Sequence, residues 1–241
     1  MSNFVETEQI VFFGKIKSSF VQIRGSIPLF WEQVINIKYT PKLVVHHQNA
    51  KTQEAYKAHI DSLTDVYGSI VLINLVNKKG YELPLAETFN QVASVVNGEY
   101  KSPSVSYIHF DFHKECARMQ YHRVSLLIDQ LEADFRKHGY FLADDVKVES
   151  LQMGVMRTNC IDCLDRTNVV QSVFARKILA LQLEKLGILA RGERVQDQAS
   201  LEVFFKNVWA DNADACSIHY SGTGALKTDY TRYISTQMLD R

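Results

Sequence analysis

Arg157-Thr-Asn-Cys160-Ile-Asp162-Cys163-Leu-Asp165-Arg166-Thr167-Asn-Val-Val-Gln171 is the stretch on which the fold turns. A run that reads as a strand, about residues 146–156, enters it, and an apolar-periodic run leaves it through Val169, Val170, Val173, Phe174, Ile178, Leu179 and Leu183. The polar segment between them is therefore expected as a loop at a helix N-terminus. There the unpaired backbone N–H groups and the positive end of the helix dipole favour an anion. Cys160 and Arg166 bracket the loop with five residues between them, and Thr167 follows. That spacing lets the chain wrap a tetrahedral phosphate, with sulfur behind the phosphorus and a guanidinium forked onto two oxygens.

A cysteine attacks as thiolate, and its ordinary pKa of about 8.5 falls to roughly 3.5–7.5 beside a helix N-terminus or a cation. The expected chemistry is a two-step phosphoryl transfer: Cys160 displaces an alcohol to give a cysteinyl-phosphate, which water hydrolyses, while Thr167 hydrogen-bonds the departing sulfur. The leaving alkoxide needs a proton. Asp165, next to Arg166, is the expected general acid and Asp162 the second candidate, because a carboxyl near a bound phosphate has a raised pKa; either can instead hold the loop's shape. The amides of Ile161, Cys163 and Leu164, with Arg157, Asn159 and Asn168, form the expected substrate-binding set around it. Cys160-x-x-Cys163 is also the spacing of half a zinc site or of a redox pair, and free cysteines are commonly core residues. Against these stand the isolation of Cys116 and Cys216, the Arg and two Asp inside the loop, and the density of Asn, Asp, Arg and Thr around the sulfurs.

The run Arg157 to Asn168 resembles the signature of the Sac-domain (suppressor-of-actin) phosphoinositide phosphatases. Asn3-Phe-Val-Glu-Thr-Glu-Gln9, Gln22-Ile-Arg-Gly-Ser-Ile-Pro-Leu-Phe-Trp31, His109-Phe-Asp-Phe-His-Lys-Glu-Cys116 and Tyr220-Ser-Gly-Thr-Gly-Ala-Leu-Lys-Thr-Asp229 are similar to the same family. The resemblance implies removal of a phosphate from the inositol ring of a membrane lipid, typically phosphatidylinositol 4-phosphate and sometimes the 3-phosphate or 3,5-bisphosphate. The two loop aspartates also resemble those of the myotubularin lipid phosphatases, which ranks Asp165 above Asp162. Met1 lies two residues before Asn3, where the family carries a non-catalytic subdomain, and Tyr233 to Arg241 departs from the family's Thr-Gly-Lys-Arg. Residues 1–241 are accordingly expected to be a partial Sac-type catalytic domain, without that subdomain and shortened at both ends.

Bulk properties agree with an α/β domain, since 241 residues with 46% apolar content suffice for one sizeable core. With 27 basic and 27 acidic residues there is no polybasic field, so no nucleic-acid partner is expected. No run of about 18 apolar residues is present, so no segment is expected to span a bilayer. Four cysteines without a secretory signal point to the cytosol, and the resemblance places the protein peripherally at the cytosolic face of membranes, the family's parents often being at the endoplasmic reticulum or Golgi. Neither a metal nor another cofactor is expected, because cysteine supplies the nucleophile.

Along the chain, Gln9 to Phe13 and Phe20 to Arg24 read as a hairpin, and Phe30 and Trp31 as core aromatics. Strands at 42–47, 69–76 and 104–112 alternate with helices at 49–67 and 83–96, and a long amphipathic helix spans 114–138. This alternation predicts a mixed, mostly parallel sheet flanked by helices, with the cysteine-phosphatase-like loop between a strand and a helix at the carboxyl edge. Tyr107, His109, Asp111 and His113 share one face if that strand persists through Phe112. They read as a structural network orienting the loop, or as acid/base groups with Asp111 a reserve acid, or as a metal site. Arg24 either pairs with an acid or meets substrate, and Lys227 is either a solvated lysine or a contact to a second ring phosphate. A protein tyrosine phosphatase and a catalytically impaired lipid-binding module are the alternative functions.

Overall fold

A computed structural model of the chain describes residues 4–34, 41–46, 50–100, 104–226 and 228. The elements are β1 (Phe4–Phe13), β2 (Ile16–Gly25), β3 (Trp31–Val34), β4 (Lys42–Val45), α1 (Ala50–Tyr67), β5 (Ser69–Asn74), α2 (Leu83–Asn97), β6 (Val105–His109), α3 (Phe112–Glu115), α4 (Ser125–Gln130), α5 (Glu132–His138), β7 (Phe141–Ala143), β8 (Val148–Ser150), β9 (Gly154–Asn159), α6 (Asp165–Lys185) and α7 (Ala199–Ser221). Seven strands form one sheet in the order β6-β5-β9-β2-β7-β8, with β1 added along β2; β3 and β4 make a separate hairpin. The strands β6, β5, β9 and β2 run parallel, and β1, β7 and β8 are antiparallel additions. The expected α/β architecture, a mostly parallel sheet between helices, is what the chain adopts.

Alternation along the central strands builds a core on each face. Ile70 and Leu72 of β5 and Val155 of β9 pack with Tyr56, Ile60 and Leu63 of α1 and Phe89 and Val92 of α2. Their neighbours Val71, Ile73 and Met156 turn the other way, onto Leu127 of α4, Phe135 of α5 and Val170, Phe174 and Ile178 of α6. The opposite side of α6 meets α7 through Ala175, Leu179, Leu183, Phe205 and Trp209, so α6 is buried on two faces. It is also pinned to β2 by side chains: Gln22 Nε2 donates to Gln171 O, Gln171 Nε2 to Ile23 O and Gln182 Nε2 to Ser18 Oγ.

Several sequence expectations need correction. The strand expected at 146–156 is two strands, β8 and β9, and β9 starts at Gly154, where a Cβ would lie 2.5 Å from both Ser69 O and the His138 ring. The expected helix over 114–138 is interrupted: Arg118 and Met119 both have positive φ (56° and 63°), and helical structure resumes only as a 3₁₀ turn at Tyr121–Val124. Its apolar spacing survives because Val124, Leu127, Leu131 and Phe135 still face one core. Trp31 packs against the α1–α2 side, but Phe30 is 49% exposed rather than core. Lys227 and residues 229–241, which carry a candidate contact and the tail discussed above, lie outside the described residues.

Candidate functional site

Three parallel strands end level with one another, Asn74 of β5 opposite both His109 of β6 and Asn159 of β9. Asn159 Nδ2 donates to Asn74 Oδ1 at 2.8 Å, and Asn74 Nδ2 to the Tyr107 hydroxyl at 3.0 Å, fixing this edge. The segment 160–164 leaves β9 here and feeds α6, the 21-residue helix that begins at Asp165. Ligands in open α/β sheets gather at this carboxyl edge.

Cys160 follows directly on a strand whose every residue is buried, and its side chain is itself 0% exposed. The polar composition of the loop argues against a core position, yet the sulfur lies under the loop and packs with the α6-side core. Two donors face it, the Cys163 N–H at 3.1 Å and the Thr167 hydroxyl at 3.5 Å. The thiol in turn donates to Asp162 Oδ1 at 3.0 Å, and the same oxygen accepts the Leu164 N–H at 3.1 Å. Cys163 has a positive φ of 56°, a left-handed turn that a non-glycine residue adopts at a cost. Thus two of the amides expected to face a phosphate, those of Cys163 and Leu164, are engaged by the sulfur and by Asp162.

Burial pushes the Cys160 thiol well above its ordinary range, and the Cys163 thiol and Asp162 carboxylate push the same way against Arg166. The lowered pKa expected from the helix N-terminus is not the state of this closed loop, because a buried sulfur facing a carboxylate keeps its proton. Hydrogen bonding with Cys160 draws the partner thiol of Cys163 down, but the Cys163 sulfur faces the carbonyl oxygens of Gly25 (3.0 Å) and Cys160 (3.4 Å). A thiolate has no proton to give either acceptor, so geometry keeps Cys163 a thiol and leaves Cys160 as the sulfur with donors around it.

Arg166 sits one residue into α6 and is held by Glu82. Its Nη1 donates to Glu82 Oε2 at 3.0 Å and Nη2 to Glu82 Oε1 at 2.7 Å, with a longer contact from Nη1 to Leu75 O at 3.5 Å. Burial works against this charge, but the Glu82 carboxylate and the Cys160 sulfur more than offset it, so the guanidinium's pKa lies above its ordinary value. Arg166 lines a cleft of about 370 Å³ together with Asp165, Asn168, His113, Phe112 and Arg118. Cys160 does not line it: the hollow opens on the arginine side of the loop, with the sulfur beneath.

The other expected contributors divide between brace and rim. Arg157 is 0% exposed, donating to Ser26 O at 2.7 Å and Asn159 Oδ1 at 3.5 Å, and burial brings its pKa down to about 10. Arg24, 2% exposed, donates to Asn168 Oδ1 at 3.0 Å and reaches Cys163 O at 3.5 Å; burial lowers its pKa too. No carboxylate hydrogen-bonds either guanidinium among the described residues, so both leave their positive charge beneath the cysteine loop. Asn168 is tied to α7 through Trp209 O and Asn212. Ile161, Leu164 and Asp165 are half-buried, and Asp162 is exposed.

His109, Asp111 and His113 do not form a row on one strand, because β6 ends at His109 and Asp111 caps α3, accepting the Lys114 N–H at 3.1 Å. Asp111 Oδ2 accepts the Lys78 N–H at 3.0 Å, and His109 Nε2 lies 2.8 Å from Val76 O. Both therefore hold the segment 75–82, which ends on Glu82. Burial lowers the pKa of His109 against the pull of that carbonyl, and His113 is exposed at the cleft. Glu82 is the site residue that sequence reasoning misses: it reads as an ordinary acid before a helix, and its one signal is its place in the connection leaving a buried strand at the carboxyl edge.

A family model described as the SacI homology domain matches residues 1–117. Phosphatidylinositol-3-phosphatase SAC1-A of Danio rerio is 49% identical over 233 residues, covering 96% of this chain and 39% of the relative. Phosphatidylinositol-3-phosphatase SAC1 of Saccharomyces cerevisiae is 44% identical, covering 96% of this chain and 38% of the relative. Phosphoinositide phosphatase SAC7 of Arabidopsis thaliana is 43% identical over 97% of this chain and 38% of its own length. The chain thus spans well under half the length of these relatives. The similarity runs through both the matched N-terminal segment and the cysteine loop, so the chain resembles SacI-homology proteins along nearly its whole length.

Proposed function

We propose that the chain is a cysteine-dependent phosphoinositide phosphatase, acting on a ring phosphomonoester of a lipid at the cytosolic face of a membrane. The observation that carries the reading is the placement of Cys160, with Cys163 N–H and Thr167 hydroxyl donors, at the start of α6 beside a clamped Arg166. The names of relatives aligned over 96% of the chain support the substrate class. Phosphate entering from the cleft meets Arg166 first, and the loop must open to bring the sulfur to it. Asp162, already accepting the Cys160 proton, takes that proton as the thiolate attacks phosphorus. Asp165, at the cleft with Arg166, protonates the inositol oxygen as the P–O bond breaks. Water then attacks the cysteinyl-phosphate, giving its proton to the Asp165 carboxylate, and the sulfur leaves toward the Thr167 hydroxyl and takes back the proton held by Asp162.

Phosphatidylinositol 4-phosphate, the 3-phosphate and the 3,5-bisphosphate are the candidate substrates. Among the described residues no helix is long and apolar enough to cross a bilayer. Phosphate release from vesicles carrying each lipid tests the assignment, with a phosphotyrosyl peptide as the contrast; release from the peptide alone would replace it. A second reading, lipid binding without turnover, is favoured by the complete burial of Cys160. Vesicle co-sedimentation without phosphate release from any lipid would establish it.

A further inference from the structure

The geometry points to Glu82 as the positioning residue of the phosphate site, a carboxylate that fixes Arg166 so that one side of its guanidinium is kept for the ligand. The kinetic part of this inference rests on the phosphatase reading; the anion-binding part does not. A guanidinium offers two forks, one between Nη1 and Nη2 and one between Nε and the outer proton of Nη2. Both oxygens of Glu82 occupy the first fork, at 3.0 and 2.7 Å. Arg166 Nε donates to nothing among the described residues, and Arg166 lines the cleft, so the second fork is the one left for two phosphate oxygens.

Glu82 is itself rigidly held. Its side chain is 8% exposed, its Oε2 accepts the Asn77 N–H at 2.6 Å, and α2 starts immediately behind it, with Pro84 in the first turn. The connection that carries it is tied to Asn159 O through the Leu75 N–H at 2.8 Å, to Asp111 through Lys78 N–H and to His109 through Val76 O. A flexible arginine freed from this clamp has rotamer entropy to lose on binding and a neighbouring carboxylate, Asp162, to turn toward; the clamp removes both costs before the ligand arrives.

The test uses Glu82→Asp, Glu82→Gln and Glu82→Ala in the 241-residue chain, each checked by thermal melting. On phosphatidylinositol 4-phosphate vesicles, Glu82→Gln is expected to lose about 10- to 100-fold in kcat with KM changed less than about three-fold, since the bilayer and the rest of the head group dominate KM. Glu82→Asp, which keeps the charge, recovers part of the loss. In an Arg166→Lys background, Glu82→Gln should cost less than about three-fold more, because an ammonium has no fork to orient; a fully additive loss would overturn the assignment. Orthophosphate binding by calorimetry gives the arm that needs no turnover: wild type binds, and folded Glu82→Gln binds at least about five-fold more weakly. Equal binding by the two overturns the inference, whereas weakened binding in a chain that releases no phosphate from vesicles removes the phosphatase reading and leaves Glu82 its role. Should the Gln and Ala variants fail to fold, the Arg166 side-chain nitrogen resonances of wild type decide. Phosphate should shift Nε while Nη rotation stays restricted; release of that rotation would mean that Glu82 is displaced and is no positioning residue.

Discussion

At the scale of single residues, the chemistry follows from which sulfur has donors and which carboxylate reaches the cleft. Cys160→Ser is expected to abolish phosphate release while keeping orthophosphate affinity, because a hydroxyl is a far weaker nucleophile at the same position; release at the wild-type rate would remove Cys160 from the reaction. The two aspartates are separable by leaving group. If Asp165 protonates the alkoxide, Asp165→Asn should lose about 10²- to 10⁴-fold on an inositol lipid but much less on para-nitrophenyl phosphate, whose leaving group needs no proton. Asp162→Asn should instead slow both substrates alike, since it accepts the Cys160 proton; the reverse pattern would exchange the roles. That Cys160, Arg166 and Thr167 lie together at the start of α6 was legible, because their spacing alone places them there. Glu82 was not, since 84 positions separate it from the arginine it clamps, and the burial of Cys160 was not, since a polar loop lying over a core strand reads the same as one that projects into solvent.

At the scale of elements, the strand–loop–helix unit could be read from the sequence with its strand displaced by a few residues, because a buried strand ending in polar residues has no sharp composition boundary at Asn159. The region 112–124 could not be read, because its apolar residues keep helical spacing through a turn in which Arg118 and Met119 are left-handed. What stabilises this region is Asp111, which caps α3 with one oxygen and holds the Lys78 N–H with the other. Asp111→Ala is therefore expected to cost about 1–2 kcal/mol of stability through the lost cap and to lower activity more than that loss explains, since the connection to Glu82 loosens. Urea unfolding paired with vesicle kinetics measures both; an unchanged midpoint would show the cap to be idle, and an activity change that tracks stability alone would detach Asp111 from the site. Asp111→Asn keeps one acceptor oxygen but sets an NH2 donor against the other N–H, so it should restore only the bond its oxygen makes, and only part of the loss.

Across the whole molecule, β2 joins two kinds of sheet: its first half pairs antiparallel with β7, its second half parallel with β9, and its other edge takes β1 along its full length. Nothing local encodes this, because which strands become neighbours depends on contacts more than 100 positions apart, such as Ile23 opposite Arg157. The consequence is a thick interior that covers ionisable groups, and it sets how stability responds to acid. Burial, reinforced by the Arg157 charge, pulls His59 of α1 down to about 4 from an ordinary 6.5, and burial likewise lowers His138. Because the folded pKa lies below the unfolded one, the unfolded chain takes up protons between pH 6.5 and 4 that the folded chain refuses. Stability is therefore full above about pH 6.5, falls as the pH drops through that window, and loses no more from His59 below about 4. From pH 7 to 5 the His59 contribution is at most about 2 kcal/mol, an upper bound because the ring is not wholly sealed from water. The carboxylates Asp61, Glu115 and Glu132, whose ion pairs and hydrogen bonds hold their pKa values below the ordinary range, titrate at lower pH and leave this window to the histidines. Replacing His59 with Phe, an apolar ring suited to the neighbouring Phe4, should flatten the fall between pH 7 and 5 in urea unfolding while leaving the steeper loss below pH 4 in place. An unchanged slope in the variant would mean that His59 already carries its proton in the folded chain, and that the space between α1 and the sheet admits water.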